Sequence, residues 1–538
     1  MSRSEGAAAA AATGEARTLL ARLSGWWPVT AAVTLATLAH AVNMFRAPMY
    51  DDDEGLYMQQ AWSVATHGKL SPYTYFYDHP PLGWFTIAAW SKLTGGFLAF
   101  GESVNSGRVL MLLAHAASAA LLYGVARRAG GTKLAAVAAV VVFALAPFQL
   151  LFGREVLLDN LAVFWLLLAL YLLMPARLTL TGAALSGVAM GIALLNKEIV
   201  GLMLPGAALL AWSRLERSGQ VKGVAVWLGV ALGLAALYPL HALLIGEFFP
   251  AGSFLDYKSG PHESLLGGIR YHIDRAHDRG ILQAGSEFWH AAHIWWRVDP
   301  ALVVAAAAAI PAAGLLARRS RDALAFGVML AVFMLFLARG GAVFDFWLLP
   351  AVPLVAVIVG LAVDAVLDPV WRARVARAGP ALGRGVAPAG AVLLVVITAT
   401  ALARITTYAH SYDRAFAQNQ TAPETEAIAW VQQHVDRSAI IAMDNYAWVD
   451  LRPYANAHSF WRIDTEPSIR DGLLHGDGRN IDFIIETPVM SEALAANDGS
   501  LTLLAQAVAD SNVVARFAQD GEVVTILQVR HPPGLAVR

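Results

Sequence analysis

Four adjacent carboxylates, Asp51-Asp52-Asp53-Glu54, follow the first apolar stretch of the chain. Packed this closely they repel one another, so members of the run are suited to hold a proton, bind a cation or act as a base. Taken alone, the run equally fits a hydrated cap on a loop. The same segment continues with Tyr75-Phe76-Tyr77-Asp78-His79-Pro80-Pro81-Leu82. Its proline pair forces an extended lead-in and can start a helix, and its aromatic residues favour headgroup depth. Gly153-Arg154-Glu155-Val156-Leu157-Leu158-Asp159, Asn196-Lys197-Glu198, and Arg339 and Asp345 ahead of Trp347 and Pro350 also carry charge between apolar stretches. Each by itself fits a local ion pair at a helix end. Several on one face point to anion and proton chemistry.

The elements that must position these groups follow from composition. Of 538 residues, 57% are hydrophobic and 15% charged, against roughly 25% charged in an ordinary soluble domain. A mean hydropathy of +0.52 over the whole length requires apolar residues in many segments, hence a polytopic α-helical membrane protein. Disordered, coiled-coil and nucleic-acid-binding classes are excluded. The 39 basic and 40 acidic residues leave no basic field for a polyanion. With no cysteine, disulfides, thiolate metal sites and cysteine nucleophiles are excluded too.

Candidate spans are Trp26–Phe45, Val109–Ala126, Leu134–Phe152, Asn160–Met174, Thr181–Leu195, Ile199–Trp212, Val224–Ile245, Ala301–Leu316, Ala323–Leu337, Phe346–Val366 and Val386–Ala403. That makes about eleven transmembrane helices. Arginine and lysine gather in alternate short loops, at Arg127, Arg128 and Lys133, at Arg214, Arg217 and Lys222, at Arg318, Arg319 and Arg321, and at Arg372 to Arg384. That side is expected to be cytoplasmic, and an odd number of spans then puts the C-terminus outside. The expected organisation is a disordered cytoplasmic tail over 1–25 and a transmembrane part over 26–405. The latter has outer loops 46–107 and 246–300, and a soluble extracytoplasmic α/β domain covers 406–538. Leu56–Ala65, Leu82–Leu93 and Phe288–Trp296 read as amphipathic helices in the headgroup plane. Within 406–538, Ala422–Val435 reads as a helix, and Ala439–Met443, Ile481–Glu486 and Val523–Val529 read as strands. Asp444, Trp448 and Trp461 could stack on a sugar, although packing is the simpler role.

In this order, Asp53-Glu54, Tyr77-Asp78-His79-Pro80-Pro81-Leu82, Arg154-x-x-x-Leu158-Asp159, Asn196-Lys197-Glu198-x-x-Gly201-Leu202 and Leu348-Leu349-Pro350 resemble the dolichyl-phosphate-mannose protein mannosyltransferases. The chain is similar, at greater distance, to the bacterial lipid A aminoarabinose transferases of the same class C glycosyltransferase superfamily. The resemblance covers residues 26–366. The lumenal β-trefoil of the eukaryotic mannosyltransferases has no match here.

The resemblance implies transfer of a sugar, mannose favoured, from a polyprenyl-phosphate carrier in the membrane to a protein, lipid or glycan hydroxyl at the outer face, with inversion. It implies Asp53 as the base and Glu54 as its tuning or acceptor-orienting neighbour. Physics adds that cations at headgroup depth stabilise the lipid phosphate as it leaves, which points to His79, Arg154, Lys197 and, from the second large loop, Arg270. Asp159 would hold Arg154 or a sugar hydroxyl. A divalent metal is compatible but not required: Asp51 and Asp52 could share an ion with Asp53. The aminoarabinose enzymes bind zinc through an acid just before the equivalent of His79, here Asp78, and a later loop histidine, for which His262, His272 and His277 compete. A transporter reading requires charge at mid-depth, where these windows carry almost none, and a sensor reading leaves the ordered motifs unexplained.

Overall fold

The computed structural model describes residues 26–70, 77–258, 260, 262–274, 278–369, 373, 386–496 and 499–531. Helices fill the chain as far as Phe416. The first group is α1 (26–41), α2 (Asp52–His67), α3 (Leu82–Thr94), α4 (Ser103–Arg128), α5 (Lys133–Leu145), α6 (Pro147–Phe152), α7 (Leu158–Leu173) and α8 (Leu180–Asn196). After the 3-10 turn Glu198–Met203 come α9 (Leu204–Arg214), α10 (Gln220–Ala235), α11 (Leu237–Leu244), α12 (Leu265–Asp274) and α13 (Glu287–Val298). The series ends with α14 (Pro300–Leu316), α15 (Asp322–Leu337), α16 (Val352–Leu367), α17 (Val386–Ala403) and α18 (Ile405–Phe416).

Each of the eleven apolar windows is helical, but not each as one rod. Pro147 cannot donate into the preceding helix, so Leu134–Phe152 breaks into α5 and α6. Val224–Ile245 is divided between α10 and α11, and Ile199–Trp212 opens as the 3-10 turn. Among the described residues, four stretches are long and apolar enough by length and composition to cross a membrane, Ser103–Arg128, Arg217–Leu244, Asp345–Leu367 and Val386–Ala403, and the bent pair α13–α14 passes the same test as a unit. α5, α7, α8 and α15 are shorter apolar helices.

α16 runs through the middle of the bundle, buried along nearly its whole length. Close approach makes this possible: a Cβ on Gly360 would sit 2.4 Å from the Ala135 carbonyl oxygen of α5. Small residues at such contacts let helix backbones pack where lipid supplies no hydrophobic drive.

α2 departs from expectation. It was read as a helix lying in the headgroup plane, yet Glu54, Gly55, Tyr57, Met58, Gln59, Gln60, Ala61 and Ser63 are all buried. α3 covers one side and the C-terminal region the other.

The C-terminal region begins with α19 (Ala422–His434) and carries one five-stranded sheet. Its strands are β1 (Ile440–Met443), β2 (Asn456–Ser459), β3 (Phe483–Glu486), β4 (Ser511–Gln519) and β5 (Glu522–Val529), in the order β2-β1-β3-β5-β4. β1 runs parallel to β2 and β3, and β5 runs antiparallel to β3 and β4. The expected small α/β arrangement is present. The sequence reading gives no strand at β2 or β4: β2 is a short polar run, and β4 is largely exposed, with Ala515 and Phe517 alone packed against the core.

Candidate active site

Consecutive residues on a helix point about 100° apart, so the acidic run at the start of α2 is dealt out to four directions. Asp51 is the N-cap. Its carboxylate accepts the Asp53 amide at 2.9 Å, while Glu54 accepts the Asp51 amide at 3.0 Å, completing a capping box. Asp52 turns to the C-terminal region, accepting the Asn445 backbone amide at 2.9 Å and its side-chain amide at 3.1 Å. Glu54 turns inward, fully buried, accepting from Arg108 Nε at 2.9 Å, Arg108 Nη2 at 2.6 Å and the Val156 amide at 2.8 Å. Of the four, the Asp53 carboxylate alone accepts no hydrogen bond among the described residues. Gly55 is where the C-terminal region comes closest: a Cβ there would lie 2.1 Å from the Asn445 carbonyl carbon.

Opposite Asp53, α8 ends at Asn196, and Lys197 takes an extended conformation (φ −152°, ψ 117°). Its Nζ donates to His79 Nε2 at 2.9 Å and lies 3.4 Å from Asp159 Oδ2, in the first turn of α7. His79 Nδ1 donates to Glu198 at 3.2 Å. Asp78 meets His272 of α12 at 2.9 Å. This arrangement gives the imidazole one donor and one acceptor nitrogen, both occupied. An ammonium group has three donors; Lys197 gives one to His79 and turns a second toward Asp159 at ion-pair distance, where neither carboxylate oxygen has a hydrogen-bond partner among the described residues. Burial opposes its charge, but Asp159 and the neighbouring carboxylates outweigh that and hold its pKa above the usual lysine value.

Asp53 lies within electrostatic reach of Lys197 and His79. Burial pushes its carboxyl up to about 7; Lys197 pulls down, and Asp52 and Asp78 push up. A carboxyl poised there is matched to proton transfer at neutral pH. One helical turn on, Tyr57 is fully buried beside His79 (ring centroids 6.3 Å apart), and its hydroxyl has no hydrogen-bond partner among the described residues.

Several expectations are corrected. Arg154 is not at the Lys197 cluster. Its guanidinium donates to the backbone carbonyls of Ala39, Val42, Ala47 and Ala415 at 2.7–3.2 Å, tying α1 and α18 to the start of α7. Asp159 accordingly holds Lys197 and not Arg154. Glu54 is saturated by Arg108, Val156 and the Asp51 amide, which leaves it no lone pair to orient an acceptor. His79 has both nitrogens engaged and acts on Lys197. Arg270 is exposed on α12 and pairs with Asp274, one turn away, at 3.1 Å.

The metal candidates also scatter. Asp51 caps α2, Asp52 holds Asn445, Asp78 holds His272, and His262 faces Asp256 at 3.7 Å and the Phe249 and Gly260 carbonyls. Among the described residues no three acidic or imidazole groups converge as a metal site, so these residues do not fit a metal ion and no step is drawn through one. His277, Tyr75 and Phe76 lie outside the described residues.

The sequence reading missed Tyr57, Arg108 and Asn445. Tyr57 carried a usable signal, since i+4 spacing puts it on the Asp53 face of α2. Arg108 and Asn445 are paired with the acidic run across long sequence separations, and nothing local announces them.

Residues 78–242 match the family described as dolichyl-phosphate-mannose-protein mannosyltransferase. Among curated proteins, the undecaprenyl phosphate-alpha-4-amino-4-deoxy-L-arabinose arabinosyl transferase of Pseudomonas aeruginosa strain UCBPP-PA14 is 27% identical over 298 residues, 53% of this chain and 49% of that protein. The chain thus spans about half the length of the curated relatives it matches. Among solved structures, ArnT from Cupriavidus metallidurans bound to undecaprenyl phosphate shares the fold with a TM-score of 0.54 at 17% identity, covering 94% of this chain and 98% of that one. The Archaeoglobus fulgidus oligosaccharyltransferase gives 0.52 at 13% identity, with 89% of this chain and 72% of that one covered. Likeness in fold over nearly the whole chain is thus shared by ArnT and the oligosaccharyltransferase.

Proposed function

We propose that this chain, a multi-pass membrane protein with the class C glycosyltransferase fold, transfers a sugar from a polyprenyl-phosphate carrier to an acceptor hydroxyl at the extracytoplasmic face. The observation that carries this reading is the pairing of a carboxyl raised to about 7, Asp53, with a buried ammonium, Lys197, that keeps a donor in reserve. Such a pair suits a displacement in which one partner loses a proton and the other gains negative charge.

Asp53 takes the proton of the acceptor hydroxyl, whose oxygen forms the new bond to the anomeric carbon. The bond from that carbon to the phosphate oxygen breaks, and the electron pair leaves with the polyprenyl phosphate. Lys197 directs its remaining N–H at that phosphate, where charge grows only as the bond breaks. His79 and Asp159 position the ammonium, and Glu198 fixes the imidazole tautomer that accepts from it. A single displacement inverts the anomeric centre. Likeness to ArnT, whose structure holds undecaprenyl phosphate, supports the carrier. The curated relatives act on 4-amino-4-deoxy-L-arabinose and the matched family on mannose, so both sugars belong in the test.

The purified protein in proteoliposomes is offered undecaprenyl phosphate carrying either sugar, with envelope lipid and glycan acceptors, and free undecaprenyl phosphate is followed by mass spectrometry. Time-dependent release with one donor is expected. No release above protein-free vesicles with either donor would remove the reading.

A further inference from the structure

Three of the four basic loops expected on one side of the membrane meet in space. Arg128 ends α4, Arg214 ends α9, and Arg321 precedes α15, and the three line one cavity of about 260 Å³ together with Ser213, Ser320 and Asp322. This cavity lies at the far end of α4 from Ser103, which bonds Asp450 of the C-terminal region. A helix of 26 residues sets the two ends about 39 Å apart.

Arg128 is held in place by neutral groups, and Arg214 by a carbonyl and one carboxylate. Arg128 lies over the Tyr171 ring, 3.5 Å from its centroid, and donates to the Tyr171 carbonyl at 2.6 Å. Arg214 donates to the Arg128 carbonyl at 3.0 Å and pairs with Asp322. The Ser213 and Ser320 hydroxyls donate to the Leu210 and Ala129 carbonyls, so the guanidinium groups, and not these hydroxyls, supply the donors to an anion. Among the described residues no carboxylate pairs with Arg128 or Arg321. Among the described residues three guanidinium groups thus face one carboxylate, leaving two positive charges uncompensated in an open cavity at a bundle end. Such a site favours an anion, and planar guanidinium forks suit phosphate oxygens.

We propose that this cavity binds a phosphate-bearing anion at the membrane face opposite the active site. Two sources share that chemistry: the headgroup of an anionic phospholipid and free inorganic phosphate. Basic pockets between spanning helices are suited to the former.

Native mass spectrometry of the detergent-purified full chain, titrated with phosphatidylglycerol or phosphatidylcholine, tests this. Arg321→Gln is the informative variant, because its side chain supports nothing else. Arg217→Gln removes an equal charge from the Arg214 loop, at a position that does not line the cavity. Phosphatidylglycerol is expected to bind more tightly than phosphatidylcholine, with affinity falling roughly fivefold in Arg321→Gln, about the worth of one basic residue at a membrane surface, and unchanged in Arg217→Gln. Displacement of the lipid by millimolar inorganic phosphate would identify free phosphate as an occupant, and retention would identify the headgroup. Equal losses in both variants, or equal binding of the two lipids, would overturn the proposal.

Discussion

Two charged networks lie side by side at one end of the bundle, and they differ in how much hydrogen-bonding capacity is left over. In the Glu54–Arg108 network nearly every strong group is spent. Glu54 accepts four bonds, Arg108 also donates to the Met44, Pro48 and Met49 carbonyls, and nearby Arg154 donates to four carbonyls, with its Nε alone left over among the described residues. In the Lys197 network capacity is kept back: one ammonium donor, the Tyr57 hydroxyl, and a carboxyl on Asp53 close to half-protonated at neutral pH. Saturated polar groups hold chain segments together, while partly satisfied ones can do chemistry.

The largest expected effect sharpens that contrast from the saturated side. Glu54→Gln leaves Arg108 buried without its counter-charge and is expected to cost about 3–5 kcal/mol, read as loss of folded protein in a thermal-stability assay. Arg154→Lys, stripped of its planar fork, should likewise lower the melting temperature while turnover per folded molecule is retained. A normal melting temperature with lost turnover would place Arg154 at the phosphate after all. Next comes Lys197→Gln, for which a fall of about 10²–10³ in kcat is expected, because the lost contact matters most as the phosphate departs. A raised KM with unchanged kcat would speak for ground-state binding alone.

Gly55→Ala follows. Its Cβ would collide with the Asn445 backbone, a crowding worth about 1–3 kcal/mol, measurable as faster proteolysis of the C-terminal region. Unchanged proteolysis would show that this region does not depend on its seat against α2. The smallest expected effect is in pH. The base must be ionised, so turnover rises as pH climbs through the Asp53 pKa of about 7, a span of about tenfold between pH 6 and pH 8. An acid limb near 4 would mean that Asp53 behaves as an ordinary carboxylate.

The helical class, the apolar windows and the neighbourhood of Asp53, Asp78, His79, Asp159 and Lys197 were legible in the sequence, because membrane spans and charges beside them stand out against apolar surroundings. The division of labour among the charges was not. Arg154 and Lys197 look alike in sequence, each a lone cation at a span end. Only three-dimensional placement shows that one is surrounded by carbonyls from α1 and α18 and the other by an imidazole and a carboxylate. Asp52 and Asp53 are likewise indistinguishable until Asn445, far along the chain, is seen to claim the first. Secondary-structure patterning also misjudged α2, whose burial comes from a C-terminal region that local periodicity cannot register.

The most direct test compares transfer by wild type and Asp53→Asn in the same vesicles, with melting temperature recorded for both. Loss of a general base typically removes about 10²–10⁴ of the rate. A fall of that size with an unchanged melting temperature is expected, and transfer at the wild-type rate in a folded Asp53→Asn protein would contradict the assignment of the base.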